Sequence, residues 1–132
     1  MTEKYDLFEQ VTFRGRRHGR KLRPRVQKLV EENLPHFLVK EAIDRKKVDV
    51  NTFFPEKPRE VWLEIGFGAG EHIAWQAKRH PQIGFLGFEP YLNGVASLVR
   101  HSVSEKLTNI RIVPDDIRPF LIKLPDRCLS RI

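Results

Sequence analysis

The segment Val61 to Gly70 restricts this chain more than any other. Val61-Trp62-Leu63-Glu64-Ile65 is a short apolar run, rich in β-branched residues, that ends at glycines, as a strand buried in a parallel sheet does. Gly66, Gly68 and Gly70 follow at alternate positions. Glu71 to His80 then places Ile73, Ala74 and Ala77 on one helical face before Pro81 stops it. A strand, a glycine turn and a helix in that order let the backbone turn tightly and approach a ligand without a Cβ in the way.

The alternation continues downstream. Ile83 to Phe88 is apolar and ends at Glu89-Pro90. Leu92, Val95, Ala96, Val99 and Val103 mark an amphipathic helix through about Glu105, and Ile110 to Val113 reads as a third strand. Asp116 to Lys123 predicts one more short helix, and Leu129 to Ile132 the opening of a fourth strand. A β-α-β-α-β order implies a parallel sheet wound right-handed with helices on both faces, which binds ligands beyond the carboxyl ends of its strands. Upstream, residues 1–22 read as an extended, mobile arm. Pro24 opens a helix carrying Val26, Leu29, Val30 and Leu34, which Pro35 is expected to end. Residues 36–60 form an irregular connector with at most one short helix around Lys40 to Lys46, in which Phe53 and Phe54 cover the sheet. At 132 residues the chain accommodates one domain plus that N-terminal extension.

The carboxyl ends of the three predicted strands carry the candidate site. The glycines are spaced Gly-x-Gly-x-Gly rather than Gly-x-Gly-x-x-Gly. Glu64, at the end of strand one, would repel a pyrophosphate but suits a cationic amino-acid group; S-adenosylmethionine carries both an ammonium and a sulfonium. A glycine turn with a purely structural role is the plainer alternative. Glu89 lies 19 residues past Gly70 at the end of strand two, near the spacing expected of an acid that accepts hydrogen bonds from ribose hydroxyls. After strand three, Asp115 and Asp116 offer acceptors at the height of an adenine ring; for Asp116, helix capping is an equal alternative.

Charge is concentrated at the other end. Between Met1 and Val30 there are nine basic residues against three acidic ones, which accounts for +6 of the chain's net +7. Arg14, Arg16, Arg17, Arg20 and Lys21 form the densest part. Such a leader favours a polyanion, because each phosphate it neutralises releases condensed counterions; a solvated tail is the bland alternative. The cluster lacks the apolar face of an interfacial helix, and no apolar run is long enough to span a bilayer, so a cytoplasmic protein is expected. Cys128 alone excludes an internal disulfide or a multi-cysteine metal site and reads as a small buried residue. The five histidines show no metal-ligand spacing, and Trp62 and Trp75, each within a predicted element, read as core or partly buried side chains.

Three segments together resemble the bacterial tRNA (guanine-N7)-methyltransferase family. They are Arg14-Gly15-Arg16-Arg17-His18-Gly19-Arg20, Leu63 through His72, and Phe85-Leu86-Gly87-Phe88-Glu89-Pro90 with Asn93-Gly94-Val95. The resemblance runs from Arg14 to Ile132 and implies an α/β, Rossmann-like methyltransferase fold using S-adenosylmethionine. It implies that Glu64, Glu89 and Asp116, with Gly66, Gly68 and Gly70, contact the cofactor, and that the product is N7-methylguanosine in the tRNA variable loop. No metal is implied. The family's catalytic aspartate belongs to an Asp-Pro-Trp segment after strand four that these 132 residues do not contain, so no catalytic residue is assigned here.

On that reading the sheet is expected to be cut at about strand four, leaving strand one near an edge, with marginal stability and a tendency to associate. Two other functions fit the same residues: a methyltransferase for another RNA or a small molecule, and a non-catalytic remnant that binds cofactor or RNA without turnover.

Overall fold

The computed structural model describes residues 19–40, 49–121, 123–124 and 128–132. Arg14, Arg16 and Arg17, and all but the first residue of the helix expected around Lys40 to Lys46, lie outside that set.

Three parallel strands, β1 (Glu60–Ile65), β2 (Ile83–Phe88) and β3 (Ile110–Val113), stand in the order β1-β2-β3. Each lies where the apolar runs predict it. Pairing runs from Glu60 opposite Ile83 to Ile65 opposite Phe88, and from Phe85 opposite Ile110 to Phe88 opposite Val113. Ile65, Phe88 and Val113 therefore finish at one level. Among the described residues each sheet edge carries a single further bridge: Leu38 pairs with Ile112 beside β3, and Arg131 pairs with Trp62 beside β1. The second is the fourth-strand opening expected from Leu129 to Ile132; Leu63 N–H donates to the Arg131 carbonyl at 2.7 Å.

Three helices cover one face: α1 (Pro24–Phe37), α2 (Glu71–Arg79) and α3 (Leu92–Ser104). Leu34 and Phe37 of α1, Ile73 and Ala77 of α2, and Leu98 and Val99 of α3 pack on Phe85, Ile110 and Ile112. Both crossovers lie on this side because the chain advances in one direction across the sheet. The other face is covered by lesser elements, the 3-10 turn Val50–Phe53 and the single-turn α4 (Arg118–Leu121). There Phe53, Phe54, Ile117 and Leu124 bury Val61, Leu63, Leu86 and Phe88, so the two phenylalanines cover the sheet as expected.

Polar side chains close the joints. Asn109 Nδ2 reaches the carbonyls of Ala77, His80 and Ile83 at 2.9–3.0 Å, tying the end of α2 to the starts of β2 and β3. Arg111 Nε donates to the Phe53 carbonyl at 2.6 Å and pins the 3-10 turn to β3.

Three expectations are corrected. Helix α1 continues through Pro35 to Phe37, because Phe37 and Leu38 are buried in the core and only the last turn loses a donor; Leu38 N–H still reaches the Leu34 carbonyl at 3.1 Å. The connector contains the 3-10 turn, closed by Asp49 accepting from Asn51 N–H, an Asx turn too short for any periodicity to register. Trp75 is 54% exposed: it stacks between His72 and Arg79 on the outer face of α2, where three successive turns supply neighbours without core burial.

Ile73 is fully buried where α2 meets the sheet, so Ile73→Ala is expected to cost about 3 kcal/mol in urea unfolding. Asn109→Ala, which takes a side-chain donor from three carbonyls at once, is expected to cost about 1–3 kcal/mol in the same measurement.

Candidate functional site

The glycine loop leaves β1 through three left-handed residues, with φ of 67° at Gly66, 61° at Gly68 and 83° at Gly70. A side chain at any of these would be strained, and at Gly70 a Cβ would also run into Leu98. Gly66 N–H donates to the Phe88 carbonyl at 2.7 Å, which carries the sheet ladder into the loop. Phe67 turns back into the core and is buried, while Gly70 N–H closes onto the Phe67 carbonyl at 3.0 Å. Gly70 is the N-cap of α2, so the first free amides of that helix lie directly behind the loop.

Because the strands end in register, the acids predicted from the sequence come to one edge of the sheet in the order Glu64, Glu89, Asp115-Asp116. Their environments differ. Glu89 is buried, and its carboxylate bridges two backbone segments: Oε1 accepts from Gly68 N–H at 2.7 Å and Oε2 from Tyr91 N–H at 3.1 Å. Each oxygen keeps a lone pair for a further donor. Glu64 is partly buried, and that burial pushes its carboxyl above the ordinary value against a weaker opposing pull from His72.

Asp115 is buried and accepts from Asp116 N–H at 2.7 Å. Asp116 receives the Arg118 backbone N–H at 2.9 Å and a two-pronged contact from the Arg118 guanidinium. Those hydrogen bonds hold its carboxyl below the usual carboxylate range. Asp116 thus accepts a backbone N–H as the capping alternative allowed, while the ion pair with Arg118 is a contact that the sequence reading did not name.

Tyr91, Asn93 and Gly94 also lie at this edge and had no assigned role. A Cβ on Gly94 would overlap the Gly68 carbonyl, so the start of α3 sits directly against the glycine loop. Asn93 and Tyr91 meet the leader: Asn93 Oδ1 accepts from Gly19 N–H at 2.9 Å, and Asn93 Nδ2 donates to the Arg20 carbonyl at 2.6 Å. The Arg20 and Lys21 side chains are exposed beside it. In the sequence, Asn93 and Gly94 stand out only as part of the family-like segment that follows Glu89. Among the described residues no group of histidine, cysteine or acidic side chains could hold a metal ion, and no helix is long and apolar enough to cross a membrane. A separate groove, lined by Phe54, Pro58, Gln82 and Asn109, lies at the opposite ends of the strands and touches none of the three acids.

Comparison with known proteins fits this geometry. Residues 58–132 match the family model described as "Putative methyltransferase". The chain is 42% identical over 125 residues to a tRNA (guanine-N(7)-)-methyltransferase of Paramagnetospirillum magneticum, an alignment covering 94% of this chain and 52% of that protein. It is 43% identical over 118 residues to one of Caulobacter vibrioides, covering 89% and 50%, and 39% identical over 132 residues to one of Chelativorans sp., covering 100% and 56%. The chain thus spans about half the length of the curated relatives it matches. With more than half of its residues matched by that family model, the chain belongs to this methyltransferase family, and what it shares with those relatives is their N-terminal portion.

Proposed function

We propose that this chain supplies the cofactor site and part of the nucleic-acid contact of an S-adenosylmethionine-dependent methyltransferase acting on N7 of guanine in tRNA. The observation that carries the reading is Glu89: a buried carboxylate at the end of the second strand, held by Gly68 and Tyr91 N–H groups with acceptor capacity left over.

The residues suit that cofactor. Glu89 would take the ribose hydroxyls, Glu64 would face the ammonium, and the Gly66–Gly70 backbone would pass close to the amino-acid chain. Asp116 would reach the adenine edge once its Arg118 contact is shared or released. The carboxylates of Glu64 and Glu89 at the ends of the first two strands favour a cationic ligand over a pyrophosphate. When bound, S-adenosylmethionine supplies an electrophilic methyl group on a sulfonium. Guanine N7 already presents a lone pair at neutral pH, so the protein's task is alignment and the exclusion of water rather than strong base catalysis. No residue of this chain is assigned a proton-transfer role. Exposed Arg20 and Lys21, with Arg14, Arg16 and Arg17, would neutralise tRNA phosphates.

Calorimetric titration with S-adenosylhomocysteine tests the cofactor site. Saturable binding weakened at least about 10-fold by Glu89→Ala is expected, since a buried charged acceptor to a ligand is worth about 1.5–3 kcal/mol. Equal binding by wild type and variant would sink the assignment. The affinity should also depend on pH. Glu64 must be ionised to hold an ammonium, and its carboxyl is raised above the ordinary 4.5. Binding is therefore full above that raised value, falls as pH descends through it, and releases a proton within the window. Glu64→Gln should flatten the profile in a pH series of the same titration. For the nucleic acid, filter binding of unmodified tRNA across a salt series should show affinity falling with ionic strength. Arg20→Ala and Lys21→Ala should each reduce the log-log slope by roughly 1. Slopes unchanged by both substitutions would remove the leader from the interface, and preferential binding of another RNA would shift the substrate.

A further inference from the structure

We propose that Asn93 is a positioning residue that fastens the basic leader to the cofactor site, so that occupancy of Glu89 and docking of the leader on tRNA reinforce each other. The inference rests on the function proposed above and adds to it the connection between its two binding surfaces.

The side-chain amide of Asn93 spends both ends on one target. Its oxygen accepts from Gly19 and its nitrogen donates to Arg20, across 74 and 73 residues of sequence. An asparagine in the first turn of a helix ordinarily bonds to its own backbone; this one reads the main chain of a distant segment as a neighbouring strand would. The target is selected by size, because a Cβ at residue 19 would fall on the hydroxyl and ring of Tyr91. Gly19 therefore lets the leader pass close to Tyr91 without that side chain having to move.

Tyr91 is the same residue whose N–H is held by Glu89 Oε2, and the other oxygen of Glu89 holds Gly68 of the glycine loop. A set of contacts thus runs from the Glu89 carboxylate through Tyr91 to Gly19, where Asn93, two residues further on, clasps the same segment of the leader. Beyond the clasp, Arg20, Lys21, Arg23 and Arg25 are all exposed, and no acidic residue occurs between Gly19 and Val30. The clasp sets this cationic run at the mouth of the site. A ligand on Glu89 orders the 89–93 segment that receives the leader. A leader held by tRNA orders the same segment in advance, so each binding event lowers the ordering cost of the other.

The experiment uses the full chain, S-adenosylhomocysteine and an unmodified tRNA transcript. In the wild type, the S-adenosylhomocysteine Kd should tighten roughly 5-fold or more in the presence of saturating tRNA, a factor at the low end of ordinary coupling, and tRNA affinity should gain by the same factor. Hydrogen exchange at the Gly19 amide, sheltered by Asn93, should slow on addition of S-adenosylhomocysteine. In Asn93→Ala, S-adenosylhomocysteine should still bind, while the coupling factor falls to about 1 and Gly19 exchange becomes fast and indifferent to ligand. Gly19→Val, which wedges the leader away from Tyr91 without touching α3, should reproduce the loss. Coupling that persists in both variants, or wild-type binding of both ligands without coupling, overturns this inference alone. A wild type that does not bind S-adenosylhomocysteine removes the proposed function and this inference with it.

Discussion

The site depends on one buried carboxylate. Taking Glu89 out of water is costly unless its charge is met, and the two backbone N–H donors of Gly68 and Tyr91 meet it. Those donors come from the loop after β1 and the loop after β2, so a single side chain sets the distance between the two loops beyond Gly66, where the sheet ladder ends. The glycine loop presents the Gly68 N–H only because its backbone enters the left-handed region at three positions. The start of α3 comes within reach only because Gly94 has no side chain to strike the Gly68 carbonyl. Remove any of these and the carboxylate loses a partner.

The three acids at the sheet edge share a level but not a task. Glu89 is satisfied by backbone and built into the fold. Glu64 is partly buried with no side-chain hydrogen-bond donor among the described residues, and that burial raises its carboxyl above the ordinary value. Asp116 is neutralised by Arg118 and caps the turn that follows. The two faces of the sheet differ in the same way: long helices pack on one, whereas the other is closed by short turns pinned through Arg111 and Phe53.

Much of this was legible along the chain. The glycine spacing, the apolar runs that became β1, β2 and β3, and the 19 residues separating Gly70 from Glu89 are local patterns, and the backbone obeyed them. The readings that failed were those in which a distant neighbour outweighed a local signal. Pro35 is a helix breaker by itself, yet the burial of Phe37 and Leu38 carries α1 past it. Trp75 reads as a core or partly buried residue because it sits within a predicted helix, yet its position on that helix faces away from Ile73 and Ala77 and leaves it stacked between His72 and Arg79 at the surface. Asn93 was visible within a family-like segment but carried no role, because its partners lie more than 70 residues upstream.

The sequence by itself determined the order of elements, the loop that only glycine can form, the acids at the strand ends and the basic leader. Each of these follows from the size, branching or charge of residues near one another in the chain. Tertiary structure decided which strand ends stand side by side, which carboxylate is buried and which is paired, and where the leader meets the site. Those outcomes depend on parallel pairing, helix packing and side-chain contacts between residues from 23 to 74 positions apart, whose energies exist only once the sheet has assembled.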